Sequence, residues 1–145
     1  MFIKQISVFL ENAPGTLREL TELLGKANID LMAISVADTQ SFGIIRIIIS
    51  SEQIDPAMDL LKANGYIAKV NNVICAEVED RPLGLCELLD VIDKAGLSVE
   101  YMYSFMRPAG ENAHIVLRLS DKQKAVKVFQ LNNIKALNQA AIDAM

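Results

Sequence analysis

Residues 11–31 read ENAPGTLRELTELLGKANIDL and residues 79–99 read EDRPLGLCELLDVIDKAGLSV; laid together at a constant offset (Glu11 onto Glu79), they are one pattern used twice. Pro14 falls on Pro82, Leu17 on Leu85, Glu19 on Glu87, Leu20 on Leu88, Lys26 on Lys94 and Ala27 on Ala95. Leu23/Val91, Leu24/Ile92 and Ile29/Leu97 keep their character. Each copy is a strand end, a turn bearing proline and glycine, an amphipathic helix and the start of another strand. A self-match at a fixed period decides architecture before any local reading does. The expectation is two copies of one small domain, residues 1–71 and 72–145.

Working outward, Ile6, Val8 and Leu10 fall on one face and Ser7 on the other, the period of a half-buried strand over 3–10. Pro14 suits the first position of the helix it opens. Leu17, Leu20, Leu23, Leu24 and Ala27 form one helical stripe, which Asn28 ends. Strands follow at 30–37 and 43–50, the latter (GIIRIIIS) apolar on both faces, with a turn at 38–42 between them. A helix over 53–63 presents Ile54, Ala57, Met58 and Leu61, and Asn64-Gly65 closes it. A short strand at 66–70 completes the copy. The second copy gives strands at 73–78, 97–106, 113–119 and 134–137, with a turn at Pro108-Ala109-Gly110. Its helices span about 85–95 and 121–132, the latter turning Ala125, Val126 and Phe129 inward, and a helical turn ends the chain.

The order β-α-β-β-α-β is the ferredoxin-like arrangement: α+β, with two helices on one face of a four-stranded antiparallel sheet. The other face is open, and its apolar character in the first copy points to cover by a partner, most simply a homodimer. A domain of about 70 residues buries only roughly 60% of its unfolded surface, so pairing is also the expected remedy for marginal stability.

Composition excludes several function classes. The net charge is −4 with no basic run, which disfavours nucleic acid and anionic membranes as partners. The third strands, GIIRIIIS and AHIVLRLS, lack the aromatics of an RNA-binding module. No apolar run approaches the ~18 residues of a spanning helix, and MFIKQISVF does not read as a signal peptide. Cys75 and Cys86 stand opposite Ser7 and Arg18 in the repeat, outside the recurring framework, and read as free thiols of a cytoplasmic protein. Without a C-x-x-C pair no metal site is expected. His114 is the only histidine, and no serine or cysteine lies in a nucleophile turn, so the chain reads as non-enzymatic with no cofactor.

The repeated turn is where chemistry can enter. The first N–H groups of a helix lack intrahelical acceptors and carry the positive end of the dipole, so such a turn accepts a carboxylate. Gly15 and Gly84 would let a ligand approach the backbone, with Asn12 and Asp80 beside it. Duplication copies structural turns as readily as binding ones, so a plain capped turn fits the recurrence equally well.

The pattern strand–Asp-Arg/Lys-Pro-Gly-x-Leu–helix resembles the ACT domain, a βαββαβ family that senses free amino acids as a regulatory module of metabolic enzymes. The resemblance covers the whole chain as a tandem pair. The copy Asn12-Ala13-Pro14-Gly15-Thr16-Leu17 keeps Pro-Gly-x-Leu but has Asn for Asp and Ala for the basic residue. The copy Asp80-Arg81-Pro82-Leu83-Gly84-Leu85 keeps Asp-Arg-Pro and delays the glycine by one position. What the family implies is side-by-side pairing of the domains, with an amino acid at the seam between these turns and the facing strand segments, Ala33-Ile34-Ser35 and Tyr101-Met102-Tyr103. Packing is an equal role for the two tyrosines. The implied function is a non-catalytic regulatory sensor, its ligand's ammonium taken by Asp80, Asn12 or strand carbonyls. The rival class is a ligand-free dimerisation or interaction module acting on a metabolic enzyme.

Overall fold

Alternating β-branched residues and leucine-striped helices give a computed structural model that describes residues 1–11, 13–38, 42–106 and 112–145. Its elements are β1 (Phe2–Glu11), α1 (Thr16–Lys26), β2 (Ala33–Asp38), β3 (Phe42–Ile48), α2 (Ser51–Ala63) and β4 (Ile67–Glu79). Then come α3 (Gly84–Lys94), β5 (Val99–Ser104), β6 (Asn112–Leu119), α4 (Lys122–Leu131), β7 (Ala136–Leu137) and α5 (Gln139–Asp143). Two compact units result, one of Lys4–Asn71 and one of Asn72–Met145 with Met1–Ile3. Phe2 packs against the core of the latter unit, with the Lys122 ammonium 5.9 Å from its ring centroid. Both units carry the ferredoxin-like βαββαβ repeat.

In the first unit the order β2-β3-β1 is antiparallel throughout, with Ser35 and Ser7 on either side of Arg46. Ile6, Val8, Leu10, Ile45 and Ile47 meet Leu20 and Leu24 of α1 and Ile54, Ala57 and Leu61 of α2. On the opposite sheet face Gln5 and Ser7 are buried, and polar bonds satisfy them: Gln5 Nε2 donates to Ser7 Oγ (3.1 Å), which donates to Asn71 Oδ1 (2.9 Å). Ala33 and Ile48 are buried as well. Exposure on that face gathers instead at Phe42, which meets Phe9 edge-on at 6.3 Å.

The second unit repeats the order as β5-β6-β4-β7. Ile74, Ala76, Ile115 and Leu117 pack against Leu88, Ile92, Ala125 and Phe129. Its third strand is displaced by two residues relative to the repeat: Phe9 pairs with Ile44, but Glu77 pairs with His114 rather than Asn112.

Several local expectations need correction. The strands read at 66–70 and 73–78 are one strand, β4, because Asn71 and Asn72 are accommodated in extended backbone. Pro14 lies in the turn before α1 rather than at its first position. Leu17 and Ala27 belong to the helical stripe by spacing yet are exposed, at the two ends of α1. On α4, Val128 rather than Val126 packs against the core. The turn at Pro108-Ala109-Gly110 and most of that at 38–42 lie outside the described residues.

Candidate functional site

Three backbone hydrogen bonds build the turn after β1. Ala13 N–H donates to Glu11 O (3.0 Å), Thr16 N–H to Ala13 O (3.4 Å) and Glu19 N–H to Gly15 O (3.0 Å). The path requires a left-handed residue before the helix, and Gly15 supplies it at φ 87°. The Thr16 hydroxyl faces back into the turn, 3.0 Å from both Glu11 O and Ala13 O. Among the described residues no side chain caps α1, which leaves its first N–H groups for solvent or a ligand. Asn12 lies outside the described residues. Beside the turn is a hollow of about 220 Å³, where Ala13, Gly15, Thr16 and Leu17 face Val36 and Asp38 of β2.

The turn after β4 repeats every one of those bonds. Arg81 N–H donates to Glu79 O (3.0 Å), Gly84 N–H to Arg81 O (3.1 Å) and Glu87 N–H to Leu83 O (2.9 Å). The left-handed position is filled by Leu83, at φ 69°. The glycine has not shifted the turn; it has moved to the position of Thr16, where a Cβ would stand 2.3 Å from Glu79 O. Gly84 therefore serves a close approach of backbone to backbone. The ligand approach expected of it is closed by that carbonyl, while at Gly15 the space is open.

Charge separates the two turns. Arg81 donates from Nε to Glu79 and from an Nη to Glu87 (2.6 Å), and from its other Nη to Pro82 O (3.1 Å). Those carboxylates, Glu87 foremost, push its guanidinium above the ordinary arginine range. Asp80, Pro82, Leu83 and Leu85 are exposed around it, and Asp80 lines a hollow with Glu79, Arg81 and Asn112. A groove of about 420 Å³ adjoins it, sharing Glu79, Arg81 and Asn112 and lined also by Glu87 and Val91 of α3 and by the α4–β7 connection, Asn133, Ile134 and Lys135.

Of the expected strand residues, Ile34 and Met102 turn into their own cores. Ala33 is buried and Ser35 half-buried. Tyr101 and Tyr103 stack at 6.5 Å with rings 24° apart. None of these six lines the hollows described. Val36 and Asp38 stand beside the first turn instead, further along the same strand, and simple alternation from the inward-facing Ile34 would have found them. By the second turn the unforeseen residues are Glu77, Glu87, Asn112, Asn133 and Lys135. Extending the repeat to its C-terminal half, Asn64 onto Asn132, would have pointed to the last two.

Glu77 is the most engaged carboxylate described. It accepts from Asn112 (2.5 Å) and Lys135 (2.8 Å), and His114 Nε2 lies 3.6 Å away. Lys135, ahead of the other partners, holds its carboxyl below the usual range. Burial, with Glu77 second, pushes the Cys75 thiol up to about 12, which keeps it protonated and unreactive at neutral pH. His114 is buried against the edge of Phe105 and its Nδ1 has no partner among the described residues. Among those residues no three His, Cys, Asp or Glu side chains gather to hold a metal, and no helix is long and apolar enough to cross a membrane.

Comparison with known proteins agrees with this geometry. The model of the ACT domain pair family matches residues 1–145. Protein BT0572 from Bacteroides thetaiotaomicron is 33% identical, with a TM-score of 0.88 over 100% of this chain and 98% of that one. The ligand-free regulatory subunit of aspartate kinase from Thermus thermophilus shares the fold at 13% identity, with a TM-score of 0.64 over 88% and 91% of the two chains. Its counterpart from Thermus flavus gives 12%, 0.63, 88% and 90%. No curated protein matches the chain. Two βαββαβ repeats with the same turn built twice, matched end to end by the family model, make this chain a member of the ACT domain pair family.

Proposed function

We propose that the protein is a non-catalytic cytoplasmic regulator that binds a free amino acid at its repeated turns and acts through another protein. The observation that carries this is the twice-built helix N-terminus, without a side-chain cap among the described residues: the first turn lines a hollow of its own unit, and Asp80 and Arg81 of the second turn line another. Oriented N–H groups there suit a carboxylate, and an acid stands in each hollow for the ammonium: Asp38 in the first and Asp80 in the second. The regulatory role is supported by the Thermus neighbours, which are regulatory subunits of a kinase.

A thermal-shift panel of the twenty common amino acids tests the reading. A ligand at 100 times its dissociation constant adds about 2.7 kcal/mol, a rise of several degrees for a chain of this length. Asp38→Asn and Asp80→Asn are expected to weaken binding roughly tenfold at the turn that each serves, as one lost charge-assisted hydrogen bond does. Undiminished affinity in both variants removes those acids from the site, and a flat panel rejects amino-acid sensing. The exposed Phe42 beside Phe9 favours the second reading, an interaction module that pairs as a homodimer or docks on a metabolic enzyme. A flat panel with a concentration-independent dimer in sedimentation would support it.

A further inference from the structure

The two units differ most on the flank of the repeated helix that faces the end of the second helix. Both second helices end in the same way. Asn64 and Asn132 each bond their Nδ2 to the carbonyl four residues back (2.8 Å), and Gly65 and Asn133 take positive φ. Tyr66 N–H then reaches Leu61 O (3.0 Å) as Ile134 N–H reaches Phe129 O (2.9 Å). These bonds make Tyr66 and Ile134 equivalent, as Leu23 and Val91 are on the first helix. In the first unit Tyr66 and Leu23 pack against the core. In the second, Ile134 packs against the core too, but it and Val91 are smaller and line the 420 Å³ groove.

The polar groups change together with the volume. Ala13, Gly65 and Ile67 of the first unit become Arg81, Asn133 and Lys135, all three lining the groove. Glu79 and Glu87 share the single Arg81 guanidinium, so that wall holds two carboxylates against one cation and has negative charge to spare. Lys135 gives one contact to Glu77 (2.8 Å) and is two-thirds exposed, and an ammonium has three donors. Leu88, Val91 and Ile134 supply an apolar floor. A volume of this size lies within the range of small-ligand pockets.

We infer that this groove, formed by α3 and the α4–β7 connection of the second unit alone, is a binding site for a free α-amino acid with an apolar side chain. The carboxylate meets Lys135 and Asn133, the ammonium meets Glu79 and Glu87, and the side chain lies on Val91 and Ile134. The inference rests on the amino-acid reading above and places a site that adjoins the hollow at Asp80, with which it shares Glu79, Arg81 and Asn112. At the equivalent positions the first unit carries the bulkier Tyr66 and Leu23, packed against its core.

The test fills the groove with the first unit's own residues. Dissociation constants for valine, leucine, isoleucine, methionine and phenylalanine are measured by calorimetry on the wild type, Ile134→Tyr/Val91→Leu, Lys135→Ile and Asp38→Asn. The expected result is that one of these amino acids binds the wild type and loses at least about tenfold in affinity, the 1.4 kcal/mol step, in both groove variants. Lys135→Ile alters an exposed side chain, so it reports even where the filled variant folds poorly. Equal affinity in the folded groove variants overturns the inference, and when accompanied by a loss in Asp38→Asn it leaves the turn-binding reading standing. Binding of none of these five by the wild type overturns the inference, and a flat thermal-shift panel of all twenty overturns both readings.

Discussion

The two units keep the same backbone and diverge in what they hang on it. Around each repeated turn three backbone hydrogen bonds recur residue for residue, while the glycine changes place, from the left-handed position at Gly15 to the crowded one at Gly84. On the sheet face away from the helices, the paired positions Phe9 and Ile44 become Glu77 and His114. An apolar pair capped by Phe42 has turned into a carboxylate held by Asn112, Lys135 and His114. Hydrogen bonds that shape the main chain restrict substitution because a buried orphan group is costly to leave. Side chains at the turn rim and on the sheet face have no such constraint and carry the divergence.

The largest effect expected from breaking this comparison is at the crowded position. Gly84→Ala drives a methyl into Glu79 O, and the turn must shift to admit it. Overpacking of that kind costs about 2–3 kcal/mol. At the equivalent position Thr16→Ala removes only a hydroxyl shared between two carbonyls, worth about 1 kcal/mol. Urea denaturation of both variants checks the contrast; a Gly84→Ala chain as stable as wild type would mean that the second turn admits a Cβ there as readily as the first admits that of Thr16.

Next in size is Glu77→Gln, expected to cost about 1 kcal/mol at pH 7. The charge-assisted bond to Lys135 is lost, but Lys135 is largely exposed and solvent screens the pair. The carboxyl is held below its ordinary value, near 4.5. Its contribution is therefore complete above that pH and disappears as the pH falls through the lower folded value. The stability difference between wild type and variant should close in acid, and a difference that persists at pH 2–3 would show the group acting through packing rather than charge.

The repeat, the fold and the location of both turns were legible because they rest on spacing: prolines, leucine stripes and alternating strands recur with a fixed offset. What the spacing hides is which residue performs a shared task. A glycine read as a place for ligand approach proved at position 84 to be filled by a carbonyl, because one atom of backbone geometry decides it. The strands read at 66–70 and 73–78 left Asn71-Asn72 between them, yet β4 runs through both. The groove beside α3 was least legible of all. It exists through what is missing, Ile134 where Tyr66 stands and Val91 where Leu23 stands, and its charged rim comes from segments some fifty residues apart, Arg81 and Lys135.

The smallest effect sharpens the comparison at its most direct point, the left-handed residue. Leu83 holds φ 69° with its side chain 68% exposed. A non-glycine residue there loses about 1–2 kcal/mol to contact between its Cβ and the carbonyl, and so exposed a leucine recovers little by burial. Leu83→Gly relieves the strain, while the greater freedom of glycine in the unfolded chain takes back roughly 0.4–1 kcal/mol. The net expectation is a gain of about 0.5 kcal/mol, read as a higher urea midpoint with unchanged slope. A loss exceeding 1 kcal/mol would instead reveal that the Leu83 side chain, and not only its backbone, holds the second turn, and the two turns would then be maintained by different forces.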